Sequence, residues 1–315
     1  MDGTRESVDL LIVGGGPTGL SAALLAGRAS LHTVVVDAGA PRAAVAAHTH
    51  GLFTQDGTSP QELRAIGRTQ LARYPTVRNV EGRVLRIHQV EGGFAVETSA
   101  GEVHARRVLV AGGWRDDLDA TGIPDLARVY GTSVFPCPVC DGWEQRDRTV
   151  GVFVGHGLGD QLEHYLMMIA VLSTPRFTVF ANGHDLPADV VRAVAAQGNA
   201  VVHTPIECLE DRDGHLIAVH TTDGARHPCE AGFVGGAFAG APDGLLDALG
   251  VPTHVDVRGW RVPEVNADGS TAVPGLYVAG DARVGFGGLA NAVWQGFSCA
   301  AGVVSAVAQE RWRAS

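Results

Sequence analysis

Two cysteines three positions apart are followed at once by a carboxylate, in Cys137-Pro138-Val139-Cys140-Asp141. Thiols at that spacing can close a disulfide, and the attacking thiolate is favoured by a lowered pKa. Pro138 restricts the loop between them, and Asp141 is placed to shuttle a proton to or from a sulfur. Downstream lies a glycine-rich turn, Gly155-His156-Gly157-Leu158-Gly159-Asp160, and a first such turn, Gly14-Gly15-Gly16-Pro17-Thr18-Gly19, opens the chain. A dithiol between two turns of dinucleotide type points to a flavin that exchanges electrons with a thiol/disulfide pair.

Two other readings of the cysteine pair compete with that one. A zinc half-site would need a second pair, but Cys208, Cys229 and Cys299 are scattered and have no close histidine at finger spacing. No metal site is expected. A thioredoxin-type motif would want its own small fold, which the flanking glycine turns argue against. The flavin-coupled dithiol fits best.

The first turn has a complete context. An apolar run, Val8 to Val13, leads into it, a helical stretch from Gly19 to Arg28 leaves it, and a second strand ends at Val34-Val35-Val36-Asp37. Gly14 allows the tight turn, Gly16 lets the backbone approach a pyrophosphate, and Gly19 permits close helix–strand packing. The helix N-terminus offers free N–H groups to phosphates, and Asp37 can accept hydrogen bonds from an adenosine ribose. In the second turn Gly155 and Gly157 keep the spacing, but Asp160 stands where Gly or Ala is usual and would repel a phosphate. The next strand ends in Ala181-Asn182-Gly183, without the arginine that grips a 2′-phosphate or the acid that grips a ribose. Arg176 lies at the wrong end of that strand. A domain that kept its fold and lost its nucleotide is as good a reading as real binding.

The elements that must position these groups alternate between strand and helix. Gln61 to Tyr74 has helical periodicity, and Arg78 to Gly113 alternates like strands with a hairpin at Glu91-Gly92-Gly93. Thr149 to Val154 and Phe177 to Phe180 read as strands around a helix from Gln161 to Leu172. Val190 to Gln197 reads as a helix, followed by two or three short strands from Ala200 to Gly235. Gly275-Leu276-Tyr277-Val278-Ala279-Gly280-Asp281 is a strand ending in Gly-Asp, and Leu289 to Trp312 is a long helix of small residues. The fold expected is α/β, with two Rossmann-like three-layer ββα nucleotide-binding domains, the second inserted into the first. The boundaries expected are 1–116 plus 247–315 for FAD binding, and 117–246 for an insert that carries the cysteines.

Composition narrows the function. The chain has 315 residues, room for two ordinary domains, and a net charge of −10, which disfavours nucleic acid. It contains no lysine, which excludes Schiff-base chemistry and a lysine-dependent phosphate loop. No apolar run reaches membrane-spanning length, no signal peptide is evident, and five cysteines with one close pair suit a reducing, cytoplasmic setting. Cys299 reads as a buried, inert thiol, and Trp143 and Trp294 as packing residues. His48 and His50 are candidate bases in a loop.

The four motifs together resemble the low-molecular-weight thioredoxin reductases over essentially the whole chain: the Gly14-to-Gly19 turn, Val110-Ala111-Gly112-Gly113, Cys137-to-Gly142 and Gly275-to-Asp281. The resemblance implies FAD held by Gly14, Gly16, Gly19, Asp37, Arg42, Val84 and Gly112, with Asp281 at the sugar–phosphate chain. It further implies Ala290 and Asn291 at the flavin ring. Cys140 would sit against the flavin, Cys137 would exchange with substrate, Asp141 would be the acid/base, and the enzyme would be a homodimer. Two departures stand out. The family's His-Arg-Arg signature is missing around Ala181 to Gly183, and Leu289-Ala290 replace its Arg-Gln pair. The stretch Ala290 to Gly296 is instead similar to the dithiol oxidases of the gliotoxin, holomycin and romidepsin pathways. Those keep FAD and the cysteines, dispense with NADPH, and close a disulfide in a natural product. The expectation is an FAD-dependent dithiol oxidase that takes a small-molecule dithiol and molecular oxygen. The rivals are a thioredoxin reductase fed by NADPH or another donor, and a non-catalytic flavoprotein that sequesters a thiol toxin.

Overall fold

Leu10–Val13, Thr33–Asp37 and Val108–Val110 are short and apolar throughout rather than alternating, as strands covered on both faces must be. The computed structural model describes residues 7–156, 158, 161–236, 238–240, 244–285 and 287–314. In it these strands lie in a five-stranded parallel sheet ordered Leu276–Val278, Val108–Val110, Leu10–Val13, Thr33–Asp37, Val77–Glu81. Leu10 and Ile12 face one way, onto the helix Pro17–Arg28 and the final helix Leu289–Ala314. Leu11 and Val13 face the other, onto Ile87, Phe94 and Val96 of the antiparallel strands Val84–Val90, Gly93–Thr98 and Gly101–Ala105. The result is a three-layer ββα unit. It comprises the chain up to Ala44, Gly51–Arg115 and Gly240 onward.

The second unit comprises Val45–His50 and Asp116–Ala239. It repeats the architecture. Its parallel sheet is ordered Ala200–Val202, Phe177–Phe180, Val150–Val154, Ala231–Gly235, Val134–Phe135. The helices Leu162–Leu172 and Ala188–Ala196 pack Leu166, Ile169, Val190 and Val194 against it. A three-stranded antiparallel sheet of Ile206–Arg212, His215–Thr221 and Arg226–Pro228 supplies Leu209, Leu216 and Val219 to a second cluster. Two Rossmann-like units, one interrupting the other, are therefore present.

Some elements differ from expectation for identifiable reasons. The helix expected at Gln61–Tyr74 is Pro60–Leu71; Ser59 caps its start by accepting from the Glu62 amide at 3.2 Å, and Pro75 disfavours helix just before it. Five strands, not two or three, occupy Ala200–Gly235, because three-residue strands such as Ala200–Val202 and Arg226–Pro228 are too short to alternate visibly.

The first turn carries the tightest packing. Gly14 has φ +102°, a conformation open to glycine, and a Cβ there would meet the Ala111 carbonyl oxygen at 2.5 Å. A Cβ on Gly19 would collide with the Gly14 carbonyl oxygen, which is backbone and cannot step aside. Gly19→Ala is therefore expected to cost about 1–3 kcal/mol of stability through overpacking, read from the urea midpoint of the variant against wild type.

Candidate functional site

In the first unit the glycine turn leaves its open side where a phosphate would lie. Gly16 is the N-cap of Pro17–Arg28 in an extended conformation, Pro17 follows at the first helical position, and a Cβ on Gly16 or Gly112 would meet nothing within 4 Å. Gly15 is different. A Cβ there would lie 2.6 Å from Asp37 Oδ2, so the turn lies directly against the end of the second strand. Asp37 receives Arg64 Nη2 at 2.6 Å and Arg68 Nη2 at 2.7 Å, and its Oδ1 accepts from the Gly39 amide at 3.2 Å. Burial raises its pKa, but the Gly39 amide and the Arg64 guanidinium outweigh that and hold it below the usual carboxylate range. A cavity of about 180 Å³ opens beside it, lined by Gly15, Asp37, Arg68, Asn79, Val80 and Glu81. Sequence reading missed the two arginines, which lie on the helix Pro60–Leu71 at i and i+4 and thus on one face.

The remaining candidates of this unit fall into two groups. Arg42 Nη1 lies 3.8 Å from Asp281 Oδ2, while Asp281 Oδ1 accepts from the Gly287 amide at 3.2 Å. Ala290 and Asn291 stand in the first turn of Leu289–Ala314, with the Asn291 amide folded over Gly287. Gln295, one turn on, is buried and accepts from the Gly280 amide at 2.9 Å, tying the Gly280-Asp281 corner to the final helix. Val84 is 4 % exposed and packs in the apolar core, so only its backbone is left to contact a cofactor.

In the second unit Cys137 and Cys140 are joined as a disulfide, Cα to Cα 5.3 Å. Cys137 is the N-cap of the short helix Pro138–Asp141, and its Sγ accepts from the Cys140 amide at 3.1 Å. Gly142 lets this turn approach the end of Leu162–Leu172, since a Cβ there would come within 2.9 Å of the Leu172 carbonyl oxygen. Cys137 is buried and Cys140 half-buried, whereas Val139 and Trp143 are two-thirds exposed, at 66 % and 67 %. The other cysteines lie elsewhere: burial pushes the Cys229 and Cys299 thiols up to about 12, which leaves them protonated and unreactive.

Asp141 has the opposite environment to Asp37. Burial first, then the Glu144 carboxylate, push its pKa up to about 7, against a smaller lowering by His50. His50, from the segment Val45–His50, places Nε2 3.6 Å from Glu144 Oε1. A carboxyl poised near neutrality beside a disulfide can take up and return a proton at working pH.

Beside the second glycine turn the described side chains bond to one another. His156 Nδ1 lies 3.1 Å from the Thr121 carbonyl oxygen, and the ring meets His184 edge-on at 4.7 Å. Asn182, with φ +49°, donates to the Gly122 carbonyl at 3.1 Å and accepts from the Ile206 amide at 2.9 Å. Its amide is thus committed to structure where the arginines of a 2′-phosphate site would be. Gly157, Gly159 and Asp160 lie outside the described residues.

Comparison with known proteins agrees with this arrangement. The sequence matches the pyridine nucleotide-disulphide oxidoreductase family over residues 8–296, and the chain belongs to that family. It is 29 % identical over 303 residues to thioredoxin reductase tcpT of Claviceps purpurea, covering 93 % of this chain and 92 % of that one. The putative thioredoxin reductase TrxB of Bacillus anthracis superposes with a TM-score of 0.89 at 29 % identity, covering 96 % and 99 % of the two chains. HlmI superposes with a TM-score of 0.88 at 28 % identity, covering 98 % and 95 %. The family resemblance read from the motifs is borne out, and the chain is a flavin-dependent oxidoreductase with FAD as cofactor. The open Gly16 and Gly112 positions, the helix N-terminus and the cavity beside Asp37 fit the pyrophosphate and adenosine of that cofactor.

Two outcomes follow from this geometry. Gly16→Ala fills open space, so it should leave stability within about 0.5 kcal/mol of wild type, yet weaken FAD retention roughly tenfold, measured by the fluorescence of released flavin on dilution. Asp141 has its folded pKa raised from 3.8 to about 7. Its stabilising contribution is therefore full below the unfolded value and lost as pH rises through the folded one. Asp141→Asn should gain roughly 2–4 °C in melting temperature over wild type on going from about pH 5 to about pH 8, followed by calorimetry.

Proposed function

We propose that the protein is an FAD-dependent dithiol oxidase: it forms a disulfide in a small-molecule dithiol, uses molecular oxygen as electron acceptor and releases hydrogen peroxide. The observation that carries this reading is the strand end at Ala181-Asn182-Gly183. There the Asn182 amide is spent on Gly122 and Ile206, and no arginine stands to receive a 2′-phosphate, while Cys137, Cys140 and Asp141 are all in place.

In this reading a substrate thiolate attacks the Cys137–Cys140 disulfide at Cys137, which has to be uncovered from its buried position first, giving a mixed disulfide and releasing Cys140 as thiolate. The second substrate thiol then attacks the substrate sulfur of that mixed disulfide, closes the product S–S bond and frees Cys137. Asp141 holds the proton given up between these steps, which its pKa of about 7 permits. Val139 and Trp143 offer apolar contact to a small, partly apolar substrate beside the sulfur. FAD, held by the Gly14-to-Gly19 turn, Asp37, Asp281 and the start of Leu289–Ala314, supplies the route by which the electron pair reaches oxygen. A homodimer and a cytoplasmic setting go with this reading.

The names of the reductase relatives favour one alternative, reduction of a protein disulfide at the expense of a nicotinamide donor. Oxygen uptake by the purified holoenzyme with dithiothreitol separates the two. Uptake should fall by about two orders of magnitude in Cys137→Ser, with peroxide formed in step with oxygen consumed in wild type. Uptake no greater than that of the variant overturns the proposal, and rapid anaerobic bleaching of the flavin by NADPH alone supports the reductase.

A further inference from the structure

His50 is far from the cysteines in sequence, yet the segment that carries it folds with them. Val45 packs over Gly131, where φ is +80° and a Cβ would come within 2.7 Å of the Val45 side chain. The segment Val45–His50 thus belongs to the same compact unit as the cysteines. It brings His50 Nε2 to 3.6 Å from Glu144 Oε1, with the two side chains 22 % and 40 % exposed. Glu144 sits in the turn Trp143–Gln145, which follows Asp141 after Gly142 alone. Asp141 is therefore faced by Glu144 from the next turn, by His50 from the upstream segment, and by Tyr165 from Leu162–Leu172. Tyr165 is itself fixed, donating to the Pro136 carbonyl at 3.2 Å, and is faced in turn by Tyr130, whose hydroxyl donates to Asp116 at 2.7 Å.

We propose that His50 is a positioning residue for thiol–disulfide exchange, pairing with Glu144 so that Glu144 and Asp141 act as one proton store beside Cys140. This rests on the preceding reading only in requiring that a dithiol reduce the cysteine pair. The proton count shows why such a store is needed. One S–S bond forms in the substrate and the Cys137–Cys140 bond breaks, so two electrons pass to the cysteine sulfurs. Two thiol protons are released. Cys137 keeps one as a thiol, Cys140 remains a thiolate, and the second proton goes to Asp141. His50, when protonated, offsets the Glu144 charge and so sets the pH at which Asp141 accepts. Without it, the Glu144 charge acts on Asp141 unopposed and Asp141 holds its proton to higher pH.

The test is the pH profile of the reductive half-reaction in the holoenzyme. Anaerobic flavin bleaching by dithiothreitol and iodoacetamide alkylation of the reduced cysteines are each followed across pH, for wild type, His50→Gln and Glu144→Gln. Loss of the His50 charge should move the midpoint up by roughly 0.5–1 pH unit, and loss of the Glu144 charge should move it down by a similar amount. Shifts of opposite sign support the proposal, since a merely structural role for either residue would not split them. Glu144 is partly exposed, so its variant is expected to fold even where His50→Gln is impaired. A midpoint unmoved in either folded variant, or moved the same way in both, overturns the proposal. Neither readout uses oxygen, so failure of the oxidase reading shows separately, as absent oxygen uptake with the midpoint shifts intact.

Discussion

The cofactor-bearing unit depends on backbone approaching backbone with no side chain between. At the first turn, Gly14 touches Ala111 and Gly19 touches Gly14, so strand, turn and helix close on one another. The same condition recurs at the far side of Pro17–Arg28. A Cβ on Gly296 would strike the Thr18 carbonyl oxygen, and one on Gly280 would strike the Thr18 hydroxyl. Thr18 is therefore the point where first helix, Gly280-Asp281 corner and final helix meet. Ser21 donates to the Val293 carbonyl at 2.8 Å and Gln295 accepts from the Gly280 amide at 2.9 Å, adding directed bonds to that contact. Dense packing of this kind leaves little room to relax, which is what a site for a rigid cofactor requires.

The second unit repeats the architecture but spends its corresponding groups differently. Gly155 still packs against Gly235, within 2.6 Å of its carbonyl oxygen for a Cβ, so the strand-to-turn geometry has been kept. What surrounds it is occupied by the protein itself: His156 against Thr121 and His184, and Asn182 between Gly122 and Ile206. The sheet and helices of this unit are held by their own cores, so the fold does not depend on a ligand at that turn.

Much of this was legible in sequence because the informative signals are local. Glycines at Gly14, Gly16 and Gly19 after an apolar run, and two cysteines with Asp141, declare themselves by spacing alone. The parts that were not legible are long-range pairings. Nothing near Asp37 in sequence announces Arg64 and Arg68, which reach it from the next helix. The grouping of Val45–His50 with the cysteine-bearing unit, although Gly51–Arg115 of the other unit lies between them in sequence, is likewise invisible to periodicity. Val84, which the resemblance places at the cofactor, has its side chain in the apolar core. Short strands such as Val134–Phe135 escaped because two residues carry no period.

Asp37 and Asp141 show how the same side chain is put to opposite use. Both are partly withdrawn from water, and desolvation alone would raise both. Asp37 is surrounded by donors, the Gly39 amide and two guanidinium groups, which favour the charged form and keep it an acceptor at every physiological pH. Asp141 has no such set among the described residues: the Glu144 carboxylate raises it, and His50, which lowers it, lies 3.6 Å from that same carboxylate. Deeper burial raises Asp141, and the partners widen the difference. A fixed charge suits a residue that must orient a ligand, and a labile proton suits one that must serve a sulfur, so the placement of arginine and histidine, more than that of the aspartates, divides the labour between the two units.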